Sequence, residues 1–175
     1  YMSLDWINIK KNFISIFPDN REDTVKETFD EIEVSVGAWV RGELFLMLVI
    51  GIGSFVGLGI LGIKYFVALS IVSGITEAVP MIGPIIAGIF AGIVGFAQSP
   101  IKGVGVLVLF ILLHQLENNL LVPKVMGKVS GFRPLVILLA LLVGTQFFGI
   151  VGAILAVPVM MVGTIILKRA LGYSK

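Results

Sequence analysis

The chain has 175 residues, 57% of them hydrophobic and only 14% charged, with a mean hydropathy of +1.05 and a net charge of +2. A soluble globular domain carries about 25% charged residues, so the composition excludes that class and points to an all-α, polytopic helical membrane protein. The absence of cysteine rules out disulfides and thiol chemistry, and a single histidine cannot build a His-rich metal site.

Charge is unevenly spread. Nine of the eleven acidic residues lie in positions 1–43, and only Glu77 and Glu117 follow. Beyond position 43 the basic residues sit at the edges of apolar runs, which is loop and interface placement. The pI of about 9.0 therefore gives no reason to expect a nucleic-acid partner. The expected partners are the lipid bilayer and, for a transport site, a small polar solute or a monovalent cation or proton. No metal or cofactor is expected, and no catalytic residue is named. Ser-His-Asp ordering, metal-ligand spacing and paired intramembrane aspartates are all missing from the sequence.

Residues 1–17 mix aromatic and polar groups and read as the end of an upstream element or an interfacial segment. The chain begins at Tyr1, and it is expected to be the C-terminal part of a longer protein. Residues 18–43 follow as an amphipathic helix. Val25, Phe29, Ile32, Val36, Trp39 and Val40 mark one face at a 3.6-residue period, and Glu22, Asp23, Glu27, Asp30, Glu31 and Glu33 mark the other. Membrane-surface helices carry Lys and Arg on their polar face, so an acidic face suggests packing on the rest of the same assembly. Arg41-Gly42-Glu43 reads as the transition into the bilayer.

The membrane region is expected over 44–170. Its first span, 44–63, has 20 uncharged residues ending at Lys64. Gly53-xxx-Gly57 permits close helix approach. The run Gly57-Leu-Gly-Ile-Leu-Gly62 matches the dinucleotide fingerprint in letters only, because it closes a membrane span and does not follow a strand.

Residues 65–101 carry one charge, Glu77, three residues before Pro80-Met81-Ile82-Gly83-Pro84. A carboxylate in such a stretch costs about 2.5–3.5 kcal/mol on insertion scales. Pro80, Gly83 and Pro84 break the helix beside it. Either two short helices meet at a tip, or one tilted helix unwinds midway. Both arrangements put free backbone groups at depth, where only protein or water can satisfy them. Glu77 is then a binding or coupling residue, or it snorkels to a nearby interface. If it ends the first half-helix, the helix dipole opposes its charge; if it begins the next, the dipole favours it. Gly88-xxx-Gly92 is a second close-packing face, and with the first it suggests a homo-oligomer.

Residues 103–122 form the next span, with Pro123 closing it. His114 and Glu117 share a face, and Gln115 and Asn118 form a second polar pair at the same spacing. These groups bind a polar solute or relay a proton, or else they cap the span and join helices by hydrogen bonds. Residues 134–167 are uncharged, with basic residues at both ends. The positive-inside rule then requires an even number of crossings, hence a hairpin of arms 134–147 and 149–167 turning at 144–149. Pro158 is expected to kink its second arm. Whether this hairpin and the one at 65–98 span or re-enter is open at this point.

Three segments carry a family resemblance. Glu77-Ala-Val-Pro-Met-Ile-Gly-Pro84 resembles the E-x-x-P-x-I-G-P motif of the autoinducer-2 exporter family of bacterial and archaeal membrane proteins. Gln115 to Gly127, with Pro123, resembles its second signature. Pro134 to Gly144, then Phe148 to Pro158 with Gly149, resembles its third. Arg41-Gly42 after an amphipathic segment is similar too. Family members are typically about twice this length, with roughly eight spans of ordinary size. The resemblance implies a multi-pass transporter of a prokaryotic cell membrane, not an enzyme. It would export a small polar solute such as a quorum-sensing signal, or exchange sodium or lithium for protons. A non-transporting membrane scaffold is the third reading. Glu77 and Glu117 would be the proton or cation handles, Pro80, Gly83 and Pro84 the broken-helix motif, and Gln115 and Asn118 the polar contacts. His114 and Thr145-Gln146 match no position of the motif, and no role is carried onto them.

Overall fold

The computed structural model describes residues 19–126, 132 and 134–171. The segment 1–17 and the loop residue Gly127 lie outside the described residues. Every regular element among those described is helical, in keeping with an all-α membrane protein. The elements are α1 (Asp19–Ile60), α2 (Phe66–Thr76), α3 (Gly83–Gln98), α4 (Pro100–Leu116), a π-helical turn (Glu117–Leu121), α5 (Val122–Met126) and α6 (Pro134–Ala170). Among the described residues, three helical stretches are long and apolar enough to cross a membrane: Asp23–Ile60, Pro100–Met126 and Leu135–Ala170. The described residues fall into two compact units, one of 19–37 with 159–171 and one of 38–126 with 132 and 134–158.

In the first unit, the Arg169 guanidinium donates to Glu27 Oε2 at 2.8 Å and to Glu31 Oε2 at 3.2 Å. Both glutamates belong to the acidic face seen in the sequence, so part of that face is met from within the chain. The carboxyls are exposed, and such a pair sets register more than it adds stability.

The second unit holds most of the buried hydrophobic residues. The amphipathic helix and first span expected at 18–43 and 44–63 are one uninterrupted helix, because no proline occurs between them. Leu109 and Leu113 of α4 lie over Gly57 and Gly53 of α1, and Phe110 and Leu107 lie over Gly88 and Gly92 of α3. The two glycine faces that suggest a homo-oligomer are thus filled from within the chain. On α2, Gly74 meets Gly51 of α1 backbone to backbone. Its buried Ser70 and Ser73 hydroxyls donate back to Phe66 O and Leu69 O, so neither is left unpaired in an apolar setting.

α1 ends at Ile60, and the positive φ of 62° at Gly62 just beyond it allows the reversal. Lys102 Nζ hydrogen-bonds to the freed Gly62 carbonyl. Lys64 N and Lys102 Nζ both donate to Gln98 Oε1, at 3.2 and 3.3 Å. Residues 64 and 98 therefore meet, and α2 and α3 form a hairpin whose tip is 77–82. Of the two arrangements expected for 65–101, this is the pair of short helices. α2, with 11 residues, rises about 16 Å, half the hydrocarbon thickness of about 30 Å.

At Ser99 the chain turns into α4. Ser99 Oγ accepts from Lys102 N at 3.2 Å, and Pro100 occupies the first turn, a normal helix start. Ser99→Ala is expected to lower stability by about 1 kcal/mol and Ser99→Asp to preserve it. Thermal unfolding in detergent checks both.

One expectation needs correction. Pro123 does not close the span, since helical structure continues through α5 to Met126. The preceding turn widens to a π-helix, with Val122 N–H bonded to Glu117 O, and this makes room for a ring that would otherwise clash with the carbonyl four residues back. Within α6 the backbone leaves helical geometry at Gly149 (φ 59°, ψ −142°), and Pro158 lies inside the helix of the second arm. α6 is therefore not a single rod. A side chain on Gly144 would overlap the Gly152 carbonyl, and Leu141 packs on Ala153 and Ala156. The chain folds back at Gly149, with arms at 134–148 and 150–170.

Candidate functional site

Three carboxyls converge on one cavity of about 190 Å³ within the second unit. They are Glu43 (5% exposed), Glu77 (1%) and Glu117 (4%). Each stands on a face that the local helix buries. Trp39, Glu43, Leu46 and Ile50 follow at spacings of four, three and four on α1, and all four are buried. Ser70, Ser73 and Glu77 follow at three and four on α2. Gly103, Val106, Phe110 and Glu117 do so along α4 and its π turn.

Glu77 is the C-cap of α2, its N–H bonded to Ser73 O at 3.2 Å. The structure thus chooses between the two sequence alternatives: Glu77 ends the first half-helix, where the dipole opposes a negative charge. Its side chain faces the protein-lined cavity and does not snorkel to the surface. The following turn is tightly built. Val79 N bonds to Thr76 O at 3.0 Å and Gly83 N to Val79 O at 2.8 Å. Met81 takes a φ of 67°, which holds of order 1–3 kcal/mol of strain in a residue with a side chain. Pro80 and Met81 line the cavity, while Gly83 and Pro84 start α3.

Glu117 is the first residue of the π turn, a distortion frequent at functional sites. Glu77 and Glu117 line the same cavity within electrostatic reach of each other. Two carboxylates have no donor between them, so a hydrogen bond across the pair would require a proton. Oε2 of Glu77 is buried without a partner, and Glu117 Oε2 faces His114 Nδ1. Glu43 lies within electrostatic range of both glutamates. It is brought there by Gly42, whose missing side chain lets Val125 and Met126 approach α1 closely.

The polar residues of α4 divide differently from the sequence expectation. His114 Nδ1 stands 3.7 Å from Glu117 Oε2, as their shared face implies. Gln115 and Asn118 do not pair. Asn118 Nδ2 lies 2.9 Å from His114 Nε2, and Asn119 Nδ2 donates to Gln115 Oε1 at 3.3 Å. The i,i+4 partners meet here. Asn118 lines the cavity; Gln115 is exposed and does not. Of the hairpin and loop positions, Pro123 follows the π turn, Pro134 opens α6, Gly144 and Gly149 shape its reversal, and Pro158 is buried in its second arm.

Glu43 is the site residue that sequence reasoning passes over. The spacing Trp39-Glu43-Leu46-Ile50 contains the signal, but only if the helix is carried past Arg41-Gly42. Among the described residues, no group of three or more His, Cys, Asp or Glu side chains is arranged to hold a metal ion.

A family model described as AI-2E family transporter matches residues 1–172. A Bacillus subtilis protein named "Putative transport protein YueF" is 35% identical over 159 residues, covering 91% of this chain and 43% of that protein. "Putative transport protein YrrI" of the same organism is 33% identical, over 90% of this chain and 45% of its own length. A Mycobacterium tuberculosis protein, "Putative transport protein MT0215", is 32% identical over 81% of this chain and 39% of that one. The chain spans less than half the length of these relatives. No solved structure matches.

Proposed function

Because the chain belongs to the AI-2E transporter family, we propose that it carries the coupling site of a secondary transporter that exports a small polar solute in exchange for protons held by Glu77 and Glu117. The buried carboxyl pair is the observation that supports this reading. It stands at a helix break, faces a cavity and leaves Oε2 of Glu77 unpartnered. Ionisable groups buried in membrane helices mark substrate and proton pathways, and broken helices are where transporters place them. Glu43 would tune the same site by its charge. The bilayer is a prokaryotic cell membrane in this reading, since the relatives come from bacteria and an archaeon. A quorum-sensing signal fits the solute class that the family description suggests.

The test uses the full-length protein in everted vesicles with a pH-sensitive dye. Solute addition is expected to move protons in the wild type. Glu77→Gln is expected to insert at the same level and to move them on the order of 100-fold more slowly. Unchanged proton movement in Glu77→Gln overturns the coupling role. A response to sodium or lithium alone would assign cation/proton antiport instead, and silence of the wild type in every arm would favour a scaffold.

A further inference from the structure

We infer that the cavity is a binding site for a small organic cation, an alkylammonium, held by Glu43, Glu77 and Glu117 against the ring of Trp39. This names the solute class for the site proposed above and rests on that reading only for the step of transport.

Four observations carry it. Three carboxyls line the cavity, and no Lys or Arg does among the described residues. Oε2 of Glu77 is buried and unpartnered, and Glu117 Oε2 meets only His114 Nδ1, at 3.7 Å and beyond hydrogen-bond distance, so acceptors stand ready for N–H donors. An anionic solute would face like charge, and a neutral one would leave these acceptors without charge compensation. The remaining wall is apolar, with Trp39 4% exposed and Phe132 also lining the space. Aromatic faces attract ammonium groups, most of all where water is excluded.

Size separates an organic cation from a bare ion. A dry cavity of about 150 Å³ accepts benzene, with its six heavy atoms. The 190 Å³ here suits a molecule of about that size. A bare metal ion would need several ligands drawn around one point, and no such grouping exists among the described residues. One end of an alkylammonium meets the carboxyls, and its chain lies along the apolar wall formed by residues such as Leu46, Ile137 and Val157.

The experiment measures equilibrium binding of radiolabelled n-butylammonium to the purified full-length protein in detergent, with n-butanol and sodium as competitors. Saturable binding is expected. It should be displaced by unlabelled n-butylammonium, and not by n-butanol or by equimolar sodium. Glu43→Gln is expected to weaken it at least tenfold, and Trp39→Leu several-fold. Absence of saturable binding overturns the proposal, as does displacement by equimolar sodium or unchanged affinity in Glu43→Gln. Should Glu43→Gln fail to fold, the wild-type comparison of n-butylammonium with n-butanol decides alone. Binding without proton-coupled flux would sink the transport reading and leave this one standing. Flux of another solute without ammonium binding would do the reverse.

Discussion

Gly83→Ala is expected to prevent assembly of the α2–α3 hairpin, with most of the protein lost to aggregation on size exclusion. A Cβ at Gly83 would fall on the Thr76 carbonyl and within 2.9 Å of Glu77 Cα. These are backbone atoms of the preceding helix end, so no side-chain rotation relieves the clash. The neighbouring turn has little freedom to yield, because Gly83 N and Val79 N are tied to Val79 O and Thr76 O. Overpacking that forces backbone shifts costs about 1–3 kcal/mol and occasionally more. The upper end is expected here, since Pro80 and the positive φ of Met81 leave few alternative turns. Gly163→Ala is the control. Nothing lies within 4 Å of its added carbon, and alanine favours a helix over glycine by about 1 kcal/mol. Thermal stability in detergent should fall sharply for the first and hold or rise for the second. A folded, monodisperse Gly83→Ala protein would show that the turn can rearrange.

Much of this arrangement is legible in the sequence, for stated reasons. Membrane class follows from composition. The break at 77–84 follows from proline chemistry, which acts locally and needs no tertiary information. The reversal near 144–149 follows from length and flanking charge. What stays hidden depends on neighbours. Pro123 reads as a stop, yet a π turn accommodates it, and that choice puts Glu117 in the cavity. Gln115 and Asn118 share a helical spacing, but i,i+4 partners meet instead. Glu43 sits beside Arg41 at the start of an apolar run, the usual place for an interfacial charge. Only the approach of Val125 and Met126 over Gly42 shows that it is enclosed. Local rules locate the break; packing decides which side chains face it.

Glu77→Gln and Glu117→Gln are each expected to reduce proton-coupled flux on the order of 100-fold, the lower range for loss of a proton-transfer group. The double substitution should lie within about threefold of the weaker single variant, because residues that act as one unit are not additive. In the proposed mechanism Glu77 and Glu117 form such a unit, since both buried carboxyls line one cavity. Glutamine keeps the shape and can still donate to the remaining carboxyl, so folding is not at risk. Thermal stability should even rise in both single variants. Three carboxyls crowd a site shielded from water, and removing one relieves both burial and repulsion. Lower flux with raised stability separates a functional pair from a structural one. If the pair served only to hold helices together, stability would fall and flux would follow it. If the two groups acted independently, the double variant would show the product of the single losses, near 10⁴-fold.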